Sequence, residues 1–162
     1  LMPVISLMGN GVLYIVLAAV LLCFKKTRKI GVVLTLALIL EYTIVSIILK
    51  PAVARPRPYT VNTLIQLLIE EPEDWSFPSG HTSAAFTMIF ALYFMNNRWW
   101  IPMAIAGVLI AFSRMYLYVH FPTDIIGGIV VGVAAGVAAG FILRAIDKKL
   151  AAKAAGTDIE NH

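Results

Sequence analysis

The sequence predicts an all-α fold, a polytopic bundle of membrane-spanning helices formed by one domain of 162 residues. Three observations predict it. Hydrophobic residues make up 60% of the chain and charged residues only 14%, whereas soluble domains carry about 25% charged residues. The apolar residues are collected in five long runs, and a hydrocarbon core about 30 Å thick needs roughly 20 residues of helix. Open sheets are excluded, because they leave backbone groups unsatisfied in lipid.

Each of the five runs is interpreted as one span. They comprise residues 4–24, 30–49, 82–95, 99–119 and 125–146. The third run is short, but it can extend through residues 77–81. The basic residues of the first run follow its apolar core, which is not the order found in a signal peptide. The chain begins Leu1-Met2, and two interpretations stay open: an upstream span or interfacial helix is missing, or this chain is a shorter variant with five spans.

Three features within this frame carry separate expectations. Glu41 lies near the middle of the second run and needs a partner; a hydrogen bond to another helix is favoured over a proton or substrate role. The fifth run has a glycine every fourth residue from Gly128 to Gly140, which favours packing within the bundle over a homodimer interface. The loop at residues 50–78 predicts a short interfacial helix at 64–69, followed by acidic residues that form a solvated rim.

The basic residues predict the orientation in the plasma membrane. Nine of the 13 occur in the connections after the first and third runs and in the C-terminal tail, and the positive-inside rule makes that face cytoplasmic. The net charge of +4 therefore indicates topology, and no basic-aromatic block predicts nucleic-acid binding. Lys50, Arg55, Arg57 and Arg114 fall at the opposite, outer face. Cys23 has no partner for an intrachain disulfide.

Three polar clusters reach this outer face from separate connections. They are KPAVARPRP at residues 50–58, PSGH at 78–81 and SRMYLYVHFPTD at 113–124. Lys50, Arg57 and Arg114 supply three cations that suit a phosphate. Gly80 lets the backbone at a helix start approach the same anion.

The histidines and the aspartate of these clusters suit catalysis at an anchored phosphate. His81 and His120 can divide the work of nucleophile and general acid, and Asp124 can orient one imidazole. A metal site is the competing interpretation, because two histidines and Asp124 form a partial ligand set. The surrounding cations would repel a divalent ion, so we expect no metal and no other cofactor.

The three clusters resemble the signature motifs of the type 2 phosphatidic acid phosphatase superfamily of integral-membrane lipid phosphatases. That pattern is Lys, six residues, Arg-Pro; Pro-Ser-Gly-His; and Ser-Arg, five residues, His, three residues, Asp. Every position matches, in order, over about 75 residues. The resemblance implies that His120 is the nucleophile that forms a phosphohistidine, with Asp124 orienting it and His81 protonating the leaving oxygen.

The resemblance also implies the set of phosphate ligands and a metal-free mechanism. The implied ligands are Lys50, Arg57, Ser79, Gly80 and Arg114. Ser113 lies within a motif and Arg55 next to one, so both are additional candidates; for Arg55, a snorkelling or headgroup-contacting role is an equal alternative. Family members commonly have six spans, whereas five runs are visible here.

The predicted function is therefore dephosphorylation of a membrane lipid phosphate or diphosphate at the outer face. Undecaprenyl diphosphate is the leading substrate, because that carrier is released on this face, and phosphatidylglycerophosphate and phosphatidic acid are alternatives. A non-enzymatic lipid-phosphate binding or transport protein is the alternative of another class; anion binding alone needs cations and N–H groups but no histidine pair. The related vanadium haloperoxidases are soluble, unlike this chain.

Overall fold

A computed structural model describes residues 1–62 and 64–160, with side chains as far as residue 153. These residues form helices and loops without any strand. The helices are α1 (Met2–Leu7), α2 (Gly11–Cys23), α3 (Arg28–Tyr42), a π-helical segment (Thr43–Leu49), α4 (Lys50–Val53), α5 (Pro58–Val61), α6 (Gly80–Phe94), α7 (Trp100–Tyr116) and α8 (Pro122–Glu160). The all-helical prediction is confirmed for this part of the chain.

The first predicted run is not one helix. The side chain of Asn10 accepts a hydrogen bond from the Val12 N–H at 2.9 Å and caps a new helix, α2. Asparagine is a preferred N-cap because its oxygen satisfies a free backbone donor. Helix α1 packs against α7. Gly9 permits this close approach, since a Cβ there would lie 2.6 Å from Ile110 Cγ2.

The second run continues from α3 through the π-helical segment into α4. Two stretches, residues 28–61 and 122–153, are long and apolar enough to cross a membrane, while α2 and α7 are shorter apolar helices. At the end of α4, Ala54 adopts a left-handed conformation with φ of 46°. The helix stops there, and the chain continues without helix until Arg57, which precedes α5.

Helix α6 lies at the centre of the bundle and packs against α3, α7 and α8. Most of its residues are buried, including Ala85, Met88 and Ala91. Glu41 of α3, itself buried, accepts a hydrogen bond from the Ser83 hydroxyl of α6. The expected hydrogen bond between Glu41 and another helix is therefore confirmed.

The glycines of the fifth run face α6. A Cβ added at Gly128, Gly132 or Gly136 would lie 2.8, 2.5 or 2.7 Å from a backbone oxygen of α6 or its N-cap, and one at Gly140 would meet the Phe94 ring. Small residues let two helix backbones approach this closely. The stripe is thus used for packing within the bundle, as favoured above, and it does not support the homodimer alternative.

The predicted interfacial helix at residues 64–69 is wrong for the residues that the structure describes. Residues 64–70 form turns, bends and irregular backbone, and the described residues of the loop at 50–78 are helical at α4 and α5 alone. Leu64 and Leu68 are 93% and 66% exposed, so the described part of the chain offers them little packing that would stabilise a helix there. Isolated helices of fewer than about 12 residues are marginal without such packing.

Candidate active site

A cavity of about 620 Å³ opens at one end of the bundle, where α4, the start of α6 and the two ends of the α7–α8 connection meet. All three sequence clusters contribute to its lining. The predicted residues that line it are Lys50, Arg57, Gly80, His81, Arg114 and His120. The structure therefore brings together predicted residues that lie up to 70 positions apart in the chain, and three cations and two imidazoles share one cavity.

Arg57 is held from all sides, and only 4% of its surface is exposed. Its Nε donates to the Asp74 carbonyl oxygen at 2.7 Å, and its Nη1 donates to the Val119 carbonyl oxygen at 2.8 Å. The same Nη1 lies 3.3 Å from His120 Nε2. The guanidinium thus joins the first cluster to the third and fixes the position of a candidate nucleophile.

Asp74 departs from the prediction. It was expected in a solvated acidic rim, but its carboxylate bridges Lys50 Nζ and Arg57 Nη2. Burial tends to raise the pKa of Asp74, but the contacts with Lys50 and Arg57 lower it below the ordinary value of 3.8. The physical reason for the departure is that two buried cations are costly unless an anion neutralises them, and the Asp74 carboxylate does so.

Arg114 is the third cation of the cavity and is almost fully buried. Its Nη1 donates to the Ser6 hydroxyl of α1, while its Nε has no hydrogen-bond partner among the described residues. Helix α1 therefore closes the cavity on the side of α7. An unpaired buried N–H of this kind is available to an incoming oxyanion.

The start of α6 presents backbone donors to the cavity. The N–H groups of Gly80 and His81 have no hydrogen-bond partner in the described part of the chain, and free N–H groups at a helix N-terminus attract anions. A Cβ added at Gly80 would point to Lys50 Nζ at 3.9 Å, so a larger side chain would occupy the space beside this cation.

Ser79, a predicted phosphate ligand, and Ser113, an additional candidate, both have local structural contacts. Ser79 is the N-cap of α6: its Oγ lies 3.0 Å from Thr82 Oγ1, and its N–H donates to the Asp124 carbonyl oxygen. The Ser113 hydroxyl donates to the Ile110 carbonyl oxygen at 2.7 Å. Neither serine lines the cavity.

His120 lies in the connection between α7 and α8, with 4% of its surface exposed. Its Nδ1 is 3.6 Å from Asp124 Oδ2 and forms no hydrogen bond among the described residues. Burial has the largest effect and lowers the pKa of His120 to about 4; Asp124 opposes this, whereas Arg57 and Arg114 act with burial. A neutral imidazole with Nδ1 turned to Asp124 has its lone pair on Nε2, which faces Arg57 Nη1 and is available for attack once that contact is released.

Asp124 is completely buried and is held by three donors. Arg55 Nη1 donates to Oδ1 at 2.7 Å, while the Ser76 hydroxyl and the Phe121 N–H donate to Oδ2 at 2.5 and 2.9 Å. Arg55 also lies over the Phe121 ring, 4.1 Å from its centroid. Arg55 is therefore behind Asp124 and outside the large cavity, so it does not contact the space that a phosphate would occupy.

The metal interpretation finds no support in the described side chains. No group of three or more His, Cys, Asp or Glu residues is arranged among them to hold an ion. Asp124, which would be the carboxylate ligand, already accepts hydrogen bonds on both oxygens.

The model of one protein family, the PAP2 superfamily, matches residues 29–147, which contain all three clusters. The chain belongs to the PAP2 superfamily. The expected resemblance is confirmed by this match, because it covers well over half of the chain.

Individual proteins of the PAP2 superfamily agree with the assignment. An undecaprenyl-diphosphatase of Sulfolobus acidocaldarius is 36% identical over 129 residues, which are 79% of this chain and 62% of that protein. The crystal structure of Aquifex aeolicus LpxE superposes with a TM-score of 0.73 at 31% identity, covering 85% of this chain and 82% of that one. A PAP2-type phosphatidylglycerolphosphate phosphatase from Bacillus subtilis gives 0.68 at 26% identity, covering 91% and 75%.

Three residues of this PAP2 site were missed by the sequence analysis: Ser6, Asp74 and Ser76. Asp74 and Ser76 immediately precede the PSGH cluster, and their closeness in sequence to Ser79 and His81 was the available signal. Ser6 had no such signal, because only the fold-back of α1 onto α7 brings it to Arg114.

Proposed function

We propose that this chain is a metal-independent membrane lipid phosphatase that forms a phosphohistidine on His120. The observation that carries the proposal is the convergence of Lys50, Arg57, Arg114, His81 and His120 on one cavity. The chain spans less than two thirds of the length of the undecaprenyl-diphosphatases that it matches, and the site motifs lie within the matched family region.

The first chemical step transfers the phosphoryl group to the protein. His120 Nε2 attacks phosphorus, the bond from phosphorus to the leaving oxygen breaks, and His81 gives its proton to that oxygen. Asp124 faces the Nδ1–H of His120 and stabilises the positive charge that develops on the imidazole ring. The contact of 3.6 Å is expected to shorten in this step, because catalytic hydrogen bonds are often long before substrate binds.

The second step releases inorganic phosphate. His81, now neutral, takes a proton from water, and the resulting oxygen attacks the phosphohistidine and breaks the phosphorus–nitrogen bond. Lys50, Arg57 and Arg114, with the N–H groups at the start of α6, stabilise the charge on the phosphoryl oxygens in both steps. Positioning and charge stabilisation of this kind provide most of the catalysis in phosphoryl transfer.

A second, apolar cavity of about 450 Å³ between α2 and α3 suits the lipid tail. This cavity shares Gly11, Glu41, Tyr42 and Ala84 with the basic cavity. A lipid can therefore place its phosphate among the cations and its hydrocarbon chain between the two helices. The basic cavity would thus bind the phosphate and the adjoining apolar cavity the hydrocarbon chain of one membrane lipid.

The proposed topology has five spans in the plasma membrane. The helical units α1–α2, α3–α4, α6, α7 and α8 would each cross it, with the basic connections on the cytoplasmic side. The cavity then opens on the outer face. An outward site favours undecaprenyl diphosphate as the substrate, in agreement with the name of the Sulfolobus relative.

A phosphatidylglycerophosphate phosphatase is the second candidate. The structure of the Bacillus subtilis phosphatidylglycerolphosphate phosphatase covers 91% of this chain. The three clusters would bind only the phosphoryl group of either substrate. The two functions therefore differ in which lipid carries that group.

The decisive experiment measures phosphate release by the purified protein from undecaprenyl diphosphate, phosphatidylglycerophosphate and phosphatidic acid. We expect release from undecaprenyl diphosphate at the highest kcat/KM, no loss with a chelator, and at least a 100-fold loss in His120→Ala. Loss of activity with the chelator would contradict the metal-free mechanism. Absence of release from every lipid would favour a non-enzymatic binding or transport protein.

A further inference from the structure

All five N–H groups of Arg57 already have partners in the structure. Nε donates to the Asp74 carbonyl oxygen, and Nη1 contacts the Val119 carbonyl oxygen and His120 Nε2. Nη2 donates to the Asp74 carboxylate and, at 3.5 Å, to the Trp75 carbonyl oxygen. A phosphoryl oxygen can therefore bind Arg57 only if one of these partners leaves.

Asp74 is the partner that a phosphate can replace. Three of the other acceptors are backbone oxygens, and the fourth, His120 Nε2, contacts Arg57 but not Lys50, whereas the Asp74 carboxylate pairs with both cations. The Asp74 side chain is 55% exposed, whereas the side chains of Lys50 and Arg57 are 9% and 4% exposed. The carboxylate thus lies on the open side of the two cations, where an incoming phosphate would approach them.

We propose that Asp74 competes with phosphate for the same site. Its carboxylate pairs with Lys50 and Arg57 in the structure, and an incoming phosphate displaces it from both cations. The carboxylate pairs with them again when inorganic phosphate leaves. The exchange replaces one oxyanion by another on the same donors. The two buried cations are therefore never left without an anion, an arrangement that would be strongly destabilising. This inference rests on the proposed phosphate site, and it assigns Asp74 a part in the release of product.

The proposal makes a prediction opposite to that of a purely structural role. If Asp74 only positions Lys50 and Arg57, its loss disorders the site and weakens phosphate binding. If Asp74 competes, its loss removes both the competitor and a like charge beside the anion, so phosphate binds more tightly. The sign of the change distinguishes the two roles.

The test titrates inorganic phosphate into the purified protein by calorimetry, without any lipid substrate. We expect Asp74→Asn to bind phosphate about tenfold or more tightly than the parent, a gain of about 1.4 kcal/mol per factor of ten. Glu71→Gln is the matched control, since it removes the same charge from the same exposed loop at a residue with no ion pair in the described chain. We expect its affinity to equal that of the parent.

Several results would overturn the inference. Equal or weaker binding by Asp74→Asn, with a melting temperature like the parent's, would show that Asp74 does not compete. The same gain in Glu71→Gln would assign the effect to the charge of the loop and not to the contacts of Asp74. Asp74→Ala provides a second variant, and weaker binding by it in folded protein would count in the same way.

Kinetics separate this inference from the proposed function. In a protein that hydrolyses lipid phosphate, Asp74→Asn should lower the inhibition constant of inorganic phosphate by the same factor as its dissociation constant. If neither the parent nor any variant hydrolyses lipid while Asp74→Asn still binds phosphate more tightly, the phosphatase function fails and the competition stands. If hydrolysis occurs and phosphate inhibition is unchanged in Asp74→Asn, the competition fails alone.

Discussion

At the scale of single residues, the reactive nitrogen of His120 lies against Arg57, and its other ring nitrogen faces Asp124. Arg57 Nη1 lies 3.3 Å from the Nε2 atom with which His120 would attack, and the Nδ1 atom is 3.6 Å from Asp124. Binding of phosphate would draw Arg57 towards the anion and free Nε2. The developing charge on His120 would then shorten its contact with Asp124, which is already fixed by Arg55 and Ser76.

Asp124→Asn tests the orienting role of this carboxylate. We expect kcat to fall by about 100-fold or more, because an amide does not stabilise a positive imidazolium. KM should change little, since Asp124 does not line the cavity. Steady-state kinetics on the best lipid substrate provide the measurement. Asp147→Asn is the control, because Asp147 pairs with Lys29 away from the site; equal losses in both variants would contradict the role.

The pH dependence should reveal the lowered pKa of His120. Its ordinary value is 6.5, and in the folded protein it is about 4. Because the neutral form is the nucleophile, kcat/KM should hold as the pH falls through 6.5 and decline only as it approaches 4. The profile is measured from pH 4 to 8 and corrected for ionisation of the substrate phosphate. An acidic limb centred near 6.5 after that correction would contradict the expectation.

The sequence predicted the residues of the cavity better than their contacts. Lys50, His81 and His120 each lie beside the end of an apolar run, so the order of the runs predicts that they come together. Asp74 could not be placed in this way, because it lies in a loop without periodicity. Its position depends on the charges that it meets, and those charges come from a distant part of the chain.

At the scale of helices, α8 positions α6 through glycine contacts with its backbone. A Cβ at Gly132 would lie 2.5 Å from the Ser83 carbonyl oxygen and 2.8 Å from Phe86 Cβ. Since α6 starts with the donors of Gly80 and carries His81, a shift of α6 would move the acid and the anion-binding N–H groups together. The glycine at every fourth residue of α8 predicted close packing against another helix, but only the structure identifies α6 as that helix.

Gly132→Ala tests this packing. We expect a loss of about 1–3 kcal/mol in stability, because the added methyl group meets backbone that cannot rotate away. Gly11→Ala is the matched control at a helical glycine with nothing within 4 Å of the added Cβ, and it should leave the melting temperature unchanged or raise it. Thermal unfolding in detergent measures both. Similar melting temperatures for the two variants would contradict the close contact.

At the scale of the whole molecule, the proposed function requires the cavity to face outward. Composition and the five apolar runs predicted an all-helical bundle, and the described chain agrees. The break at Asn10 and the absence of helix at residues 64–69 were not predicted. Both depend on packing: α1 folds onto α7, whereas Leu64 and Leu68 are exposed and not packed into the described part of the chain.

Cysteine labelling tests the orientation. In a Cys23→Ser background, which removes the exposed native thiol, Glu71→Cys should react with a membrane-impermeant maleimide on intact cells. Arg98→Cys, in the connection between α6 and α7, should react only after the membrane is permeabilised. The reverse pattern would place the cavity on the cytoplasmic side and contradict the outward site.

Trapping the phosphoenzyme tests the central claim most directly. The purified protein is mixed with a lipid substrate that carries radiolabelled phosphate, quenched rapidly in alkali, and compared with His120→Gln. If His120 forms a phosphohistidine, the protein carries bound label that is stable in alkali and lost in acid. The His120→Gln variant carries no such label. Label of equal amount in His120→Gln, or phosphate release by that variant at the parent rate, would contradict this role of His120.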